Sequence, residues 1–286
     1  MLQMDEIQKR LLLEVADLHD VPQGAYNLRA NGKSVGRGSS ANIEITSKED
    51  GSGIDIRIKP GTKNESVHIP VVMSESGLKE TVYNDFYIGE GADVVIVAGC
   101  GIDNCGKQDS EHDGVHRFFV GENAKVKYVE KHYGSGQGDG QRILNPVTEV
   151  TMEAGSSMEM EMAQIKGVDS TIRTTRADVA DDATLVIKEK IMTHGTQHAE
   201  TDFIVDLNGV NSGTNLISRS VAREESTQAF RSNIRGNGIC HGHSECDAII
   251  MDNGSVILSA LTPETLSGRI NGKSEENPEE DESDEG

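Results

Sequence analysis

The apolar residues divide the chain into one short helical segment and a long region built from strands. Helical spacing occurs only near the start, at Ile7, Leu11, Leu12, Val15 and Leu18. Residues at this spacing share one face of a helix, so the pattern predicts a single amphipathic helix over about residues 4–18. Pro22 and Gly24 are expected to end it. No later segment keeps a helical period over three turns, so the rest of the chain is expected to be β-structure.

Beyond residue 24 the pattern changes to strict alternation. Residues 53–59 read GIDIRIK, and residues 149–161 alternate in the same way in two pieces. Alternation of this kind is typical of a strand with one buried face. Met158 and Met160 alternate with glutamates, and at alternate strand positions methionine fills a core more often than it binds a soft metal.

A weak internal repeat accompanies the strands. A turn residue followed by a small and then an apolar residue recurs at Gly91, Asn123, Gly155, Asp182 and Gly254. The first four are separated by 32, 32 and 27 residues. A period in this range predicts either one coil of a β-solenoid or a pair of hairpin strands. In both arrangements each repeat buries its apolar face by stacking on its neighbours.

Composition supports the prediction of an all-β fold. It also excludes some classes of binding partner. The chain has 31 Gly, only 3% aromatic residues and no Trp, which suits stacked strands better than a bulky α/β core. The net charge is −21, and eight of the acidic residues lie between 274 and 286. The remaining acidic surface repels phosphate, so neither nucleic acid nor an anionic membrane is an expected partner.

The sequence also predicts the cellular location of the protein and its domain boundaries. The start of the chain carries acids, unlike a signal peptide, and four cysteines in 286 residues do not form a disulfide framework. Free thiols in the cytoplasm are therefore expected. We predict an N-terminal helical segment over residues 1–20, a β-core over 21–262, and an acidic, disordered tail over 263–286.

The richest set of metal-binding side chains is the run CHGHSEC between Cys240 and Cys246. Thiolate and imidazole are the ligands that soft metals and iron–sulfur units prefer. In an extended strand Cys240 and Cys246 would share one face, with His243 and Glu245 on the other. The alternative is that Cys246 is a small buried hydrophobe at the start of a strand.

A second candidate is the pair Cys100 and Cys105, followed by His112 and His116. This spacing loosely imitates a zinc site, and Gly-rich turns around both thiols would let ligands converge. Two unpaired thiols in an irregular loop are the alternative. The chain contains no phosphate-binding loop of the kind that hydrolyses ATP, and no nucleophile elbow.

Several runs together resemble the SufB/SufD family of iron–sulfur cluster assembly proteins, over roughly residues 2–253. They read HIPVV (68–72), SESGLKETVYNDF (74–86), AGCGI (98–102), HDGVHRFF (112–119), YVEKHY (128–133), IKGVD (165–169) and GHSECDAII (242–250).

The resemblance implies a right-handed parallel β-helix that acts as a scaffold rather than an enzyme. It implies a SufC-type ABC ATPase and a sulfur donor protein as partners, with a homodimer or a SufB/SufD-type heterodimer. Cys246 matches the Cys-Asp position that, in the family, is associated with a nascent cluster or a persulfide. Cys240 and His243 would be neighbours of Cys246 in this site. Persulfide chemistry needs a partly exposed thiol with a lowered pKa. Glu245 and Asp247 would oppose that lowering, and a protonated histidine would favour it.

The chain departs from the family pattern after Asn253. The family continues with a His-Glu-type motif and C-terminal helices that dock the ATPase, whereas residues 255–269 match neither and an acidic tail follows. Two alternatives therefore remain beside a scaffold that carries a transient iron–sulfur cluster. One is a cluster-free, SufD-like structural partner, and the other is a carbohydrate-active β-helix enzyme.

Overall fold

The computed structural model describes residues 4–261, which form a parallel β-solenoid of about seven turns with one short helix packed against it. This architecture confirms the expected fold class. The acidic tail predicted for residues 263–286 lies outside the described residues. No helix within residues 4–261 is long and apolar enough to cross a membrane.

The solenoid has two walls, here called the first and second sheets. The first sheet runs in the order β18-β16-β14-β12-β9-β7-β5-β1-β2. Its strands are β1 (Ala25–Ala30), β2 (Lys33–Gly38), β5 (Lys63–Met73), β7 (Asp93–Asp103), β9 (Lys125–Ser135), β12 (Ser157–Lys166), β14 (Thr184–Thr193), β16 (Ser212–Ala222) and β18 (Cys240–Ile250).

The second sheet runs in the order β19-β17-β15-β13-β10-β8-β6-β4-β3, with β11 also pairing between β8 and β13. Its strands are β3 (Ile43–Ser47), β4 (Gly53–Ile58), β6 (Lys79–Ile88), β8 (Ser110–Val120), β10 (Arg142–Leu144), β11 (Val147–Met152), β13 (Ser170–Val179), β15 (His198–Leu207), β17 (Thr227–Gly236) and β19 (Ser255–Leu261).

The internal repeat corresponds to the coils of the solenoid. The turns at Gly91, Asn123, Gly155 and Asp182 each lead into a strand of the first sheet, and these strands stack in parallel register. The solenoid alternative is therefore correct, and the hairpin alternative is wrong for this region. Met158 and Met160 are fully buried between the walls, as alternation predicted.

The helix α1 (Glu6–Ala16) covers the outer face of the first sheet near its N-terminal end. Asp5 caps it by accepting a hydrogen bond from the Gln8 amide at 2.8 Å. The helix ends before Pro22 because Asp17 adopts a left-handed conformation with φ of 54°. A side chain at Gly99 would lie only 2.7 Å from the Val15 carbonyl, so this glycine allows close packing.

Candidate functional site

Cys246 lies on β18, the last strand of the first sheet within the described residues. Its register partner is Ser218 on β16. Cys240 and Cys246 both pack against the interior core, while His243 turns outward and approaches Glu245, with 3.4 Å between Nε2 and Oε2. Cys240 and Cys246 therefore share one face of β18 and His243 lies on the other, as expected for an extended strand. This arrangement also means that His243 does not lie beside either thiol.

The environment of Cys246 keeps its thiol protonated. Burial raises the pKa of Cys246 to about 11, and the nearby carboxylates of Glu189 and Asp247 add to the increase. The hydrogen bond to Ser218 and the charge of Arg219 act in the opposite direction but do not outweigh burial. The lowered pKa that persulfide chemistry calls for is thus not present in this chain alone. Burial is the largest cause, because Cys246 packs against the interior core of the solenoid.

Glu245 and Asp247 are both paired with Arg219 on the outer face. Arg219 places Nη2 2.7 Å from Glu245 Oε1 and Nη1 3.1 Å from Asp247 Oδ2. The two acids that were expected to oppose thiolate formation thus share one cation across the β16–β18 pair. Of the carboxylates that raise the pKa of Cys246, Glu189 is the larger contributor.

Cys246 is the last member of an interior row of side chains that crosses the first sheet. Parallel register aligns Glu130, Met162, Glu189, Ser218 and Cys246 on five consecutive strands. Ser218 Oγ donates to Glu189 Oε2 at 3.1 Å, and Thr201 donates to Glu189 Oε1 at 2.8 Å. Sequence reasoning did not identify this row, although each member lies at an inward position of its strand.

A buried arginine from the second sheet joins the two carboxylates of that row. Arg173 forms an ion pair with Glu130 and lies 3.5 Å from Glu189, Nε to Oε1. All three side chains are at most 4% exposed. Arg173 holds the pKa of Glu130 well below its usual range, whereas burial leaves the pKa of Glu189 raised. Charged and hydrogen-bonded side chains therefore extend along the interior row to Ser218. The strand of Ser218 is the neighbour of the strand that carries Cys246.

The second candidate cluster is divided by the fold. Cys100 points inward on β7, while Cys105 lies exposed in the following loop, with its Sγ 3.3 Å from Asp103 Oδ1. The structure therefore does not bring the two thiols to one side of the strand. Within residues 4–261 no group of three or more His, Cys, Asp and Glu side chains converges as a metal site.

Cys100 instead borders a small enclosed cavity of about 20 Å³. The cavity is lined by Cys100, His112, His116, His132 and Glu130, among others. This volume is enough for one water molecule. Burial raises the pKa of Cys100 well above its usual value and lowers the pKa of His116 to about 4. His132 was missed from the sequence, although it lies 32 residues after Cys100, one repeat period on, and is its register partner.

Comparison with known proteins identifies the family. Residues 82–260 match the family model described as "SUF system FeS cluster assembly, SufBD core domain". The chain is also 27% identical over 213 residues to an "Iron-sulfur cluster assembly SufBD family protein" from Archaeoglobus fulgidus. That alignment covers 73% of this chain and 55% of the relative, so the chain spans about half the relative's length. The match to the family model spans all four cysteines, Cys100, Cys105, Cys240 and Cys246. On this match the chain belongs to the SufB/SufD family of iron–sulfur cluster assembly proteins.

Proposed function

We propose that this chain is a scaffold subunit of a SUF-type assembly complex, in which a transient iron–sulfur cluster is built and then transferred. In this role it is an assembly component rather than an enzyme. The observation that carries the proposal is the position of Cys246. This thiol is the last member of the interior row. It lies on β18, a strand that pairs only with β16 among the described residues. A thiolate ligand of this kind is what an iron–sulfur unit requires.

Residues 4–261 of one chain do not bring a complete ligand set to Cys246. Cys240 lies six residues away on the same strand, about 20 Å at roughly 3.3 Å per residue, and His243 faces outward. Iron–sulfur clusters are usually held by about four ligands. We therefore propose that a second chain, in a homodimer or a SufB/SufD-type heterodimer, completes the site at this edge.

The remaining partners follow from chemistry that this chain does not carry. Its sequence contains no phosphate-binding loop, so ATP hydrolysis belongs to a separate ABC-type ATPase subunit. We propose that a sulfur donor protein supplies the sulfur. A pull-down with native partners tests both assignments, and recovery of neither protein would contradict them.

Anaerobic reconstitution with iron and sulfide tests the scaffold role. The expected result is a visible absorbance band that persists after desalting and disappears when an apo-ferredoxin is added as acceptor. The acceptor should gain the corresponding absorbance. A chain that acquires no band, alone or mixed with a purified family partner, would contradict the proposal.

A cluster-free, SufD-like structural partner is the second candidate. The raised pKa of Cys246 favours it, because a protonated thiol is a poor ligand. In that case the isolated chain should remain colourless while its heterodimer with a family partner loads iron. Replacing Cys246 with Ser should then leave the heterodimer's loading unchanged. Family membership leaves the carbohydrate-active enzyme without support.

A further inference from the structure

A cation and two aromatic rings are stacked on the outer face of the second sheet, far from the Cys246 row. Arg57, Tyr87 and Phe119 are register partners on three consecutive coils. The Arg57 guanidinium lies 4.3 Å from the Tyr87 ring centroid. The Tyr87 and Phe119 rings are stacked, with centroids 5.1 Å apart and planes inclined by 11°.

The stack stops at Phe119, although the sheet continues. The next register partner is Thr151 on β11, which carries no ring. Phe119 is 40% exposed, and a groove of about 410 Å³ opens beside it. Neighbouring strands are about 4.8 Å apart, close to the stacking distance of planar groups. The position above Thr151 therefore has room for one more planar group on the free face of Phe119.

The charges around this position favour a cation. Glu90 and Glu153 line the groove together with Arg57, so its lining carries two carboxylates and one guanidinium. Asp178 follows Thr151 in the register and adds a third carboxylate near the Thr151 end. None of the three carboxylates has an ion-pair partner among residues 4–261, although Asp178 accepts a hydrogen bond from Asn208. At the opposite end of the stack the cation is supplied by the chain itself, as Arg57. A planar cation over Phe119 would repeat the Arg57–Tyr87 contact and meet unpaired carboxylates.

We propose that this groove binds the guanidinium group of an arginine side chain presented by a partner protein. Guanidinium is planar, stacks on aromatic faces and pairs with carboxylates, so it satisfies both the ring and the acids. The net charge of −21 would attract a basic surface to this site. The inference is independent of the proposed function, because it uses no residue of the Cys246 row.

Titration with N-acetyl-L-argininamide tests the proposal directly. The full chain is labelled with ¹³C at its Phe rings, and the ring resonances are followed by NMR. The resonances of Phe119 should move and saturate in the millimolar range, while those of buried Phe118 and Phe203 stay in place. N-acetyl-L-lysinamide should cause a smaller shift, since an ammonium group does not stack. Movement that is larger with N-acetyl-L-tyrosinamide than with the arginine probe would overturn the assignment of a cation.

Variants distinguish a groove that binds a guanidinium group from a stack of side chains that only stabilises the fold. Thr151→Phe extends the stack into the vacant position, and it should abolish the response to the arginine probe while the thermal transition stays where it is or rises. Asp178→Asn should weaken binding several-fold. Tyr83→Leu is the matched control, since the Tyr83 ring already has Arg117 near it, 5.7 Å from its centroid, and binding should be retained. An unchanged response in Thr151→Phe would overturn the proposal.

Discussion

Burial decides the protonation state of Cys246 and His116 in the folded chain. The pKa of Cys246 rises to about 11 and that of His116 falls to about 4, because in each case the charged form loses its water. Both groups are therefore neutral near pH 7. A cluster ligand at Cys246 must lose its proton as iron binds, which couples loading to pH.

Alkylation rates should reveal the difference between the interior and exterior thiols. With a pKa of about 11, roughly one Cys246 side chain in a thousand is a thiolate at pH 8. We expect iodoacetamide to modify Cys246 far more slowly than exposed Cys105, with a rate that rises about tenfold per pH unit between pH 7 and 9. Peptide mass spectrometry measures both rates. Equal rates at pH 7 would contradict the raised pKa of Cys246.

His116 should make the fold sensitive to mild acid. The folded pKa of about 4 lies below the usual value of 6.5, so in that interval the unfolded chain binds a proton that the folded chain does not. Stability should therefore fall as pH drops from about 6.5 to 4, by roughly 3 kcal/mol in total. Urea unfolding at several pH values measures this decline. His116→Asn should be less stable at pH 7 but decline less steeply, and an unchanged slope would contradict the assignment.

At the scale of strands, parallel register places residues from distant parts of the chain side by side. Alternation was sufficient to predict that Cys240 and Cys246 share one face of β18, and the turn repeat of 27 to 32 residues indicated which turns stack. The row from Glu130 to Cys246 was not predictable in the same way. Charged residues at inward positions contradict the alternation rule, and their ion pairing with Arg173 depends on bringing the second sheet across the interior.

The interior ion pairs should matter more than those on the surface. Arg173→Met leaves Glu130 and Glu189 buried without a cation, which should cost about 3–5 kcal/mol of unfolding free energy. Arg235→Met removes a pair with Asp206 at a half-exposed position and should cost less than about 1 kcal/mol. Urea denaturation of both variants gives the comparison. A similar small cost for both would mean that water or structural relaxation compensates for Arg173.

In the molecule as a whole, the two ends of the solenoid differ. Near the N-terminus the first sheet is covered by α1, whereas β18 and β19 each pair on one side only within residues 4–261. Apolar side chains are exposed on these two strands: Ile249 is 61% and Ile257 66% exposed. Unpaired strand edges and exposed apolar residues are typical of association surfaces. This end is where we propose that a second chain joins.

Lysine substitutions at this end should dissociate the proposed homodimer. Ile249→Lys combined with Ile257→Lys places charges on the proposed contact. Sedimentation velocity should then show the unmodified chain as a dimer and the double variant as a monomer. Ile172→Lys is the matched control, because Ile172 is 51% exposed on β13, away from the end strands. Dissociation by the control, or a dimer that survives the double substitution, would place the interface elsewhere.

Loading of Cys246→Ser with iron and sulfide tests whether Cys246 holds the transient cluster. Under anaerobic reconstitution we expect the unmodified chain and Cys105→Ser to acquire bound iron, sulfide and a visible absorbance band. Cys246→Ser should lose most of all three while keeping its circular dichroism spectrum. If Cys246→Ser loads as well as the unmodified chain while Cys100→Ser does not, the functional thiol lies at the histidine-lined cavity, and the account given for β18 is wrong.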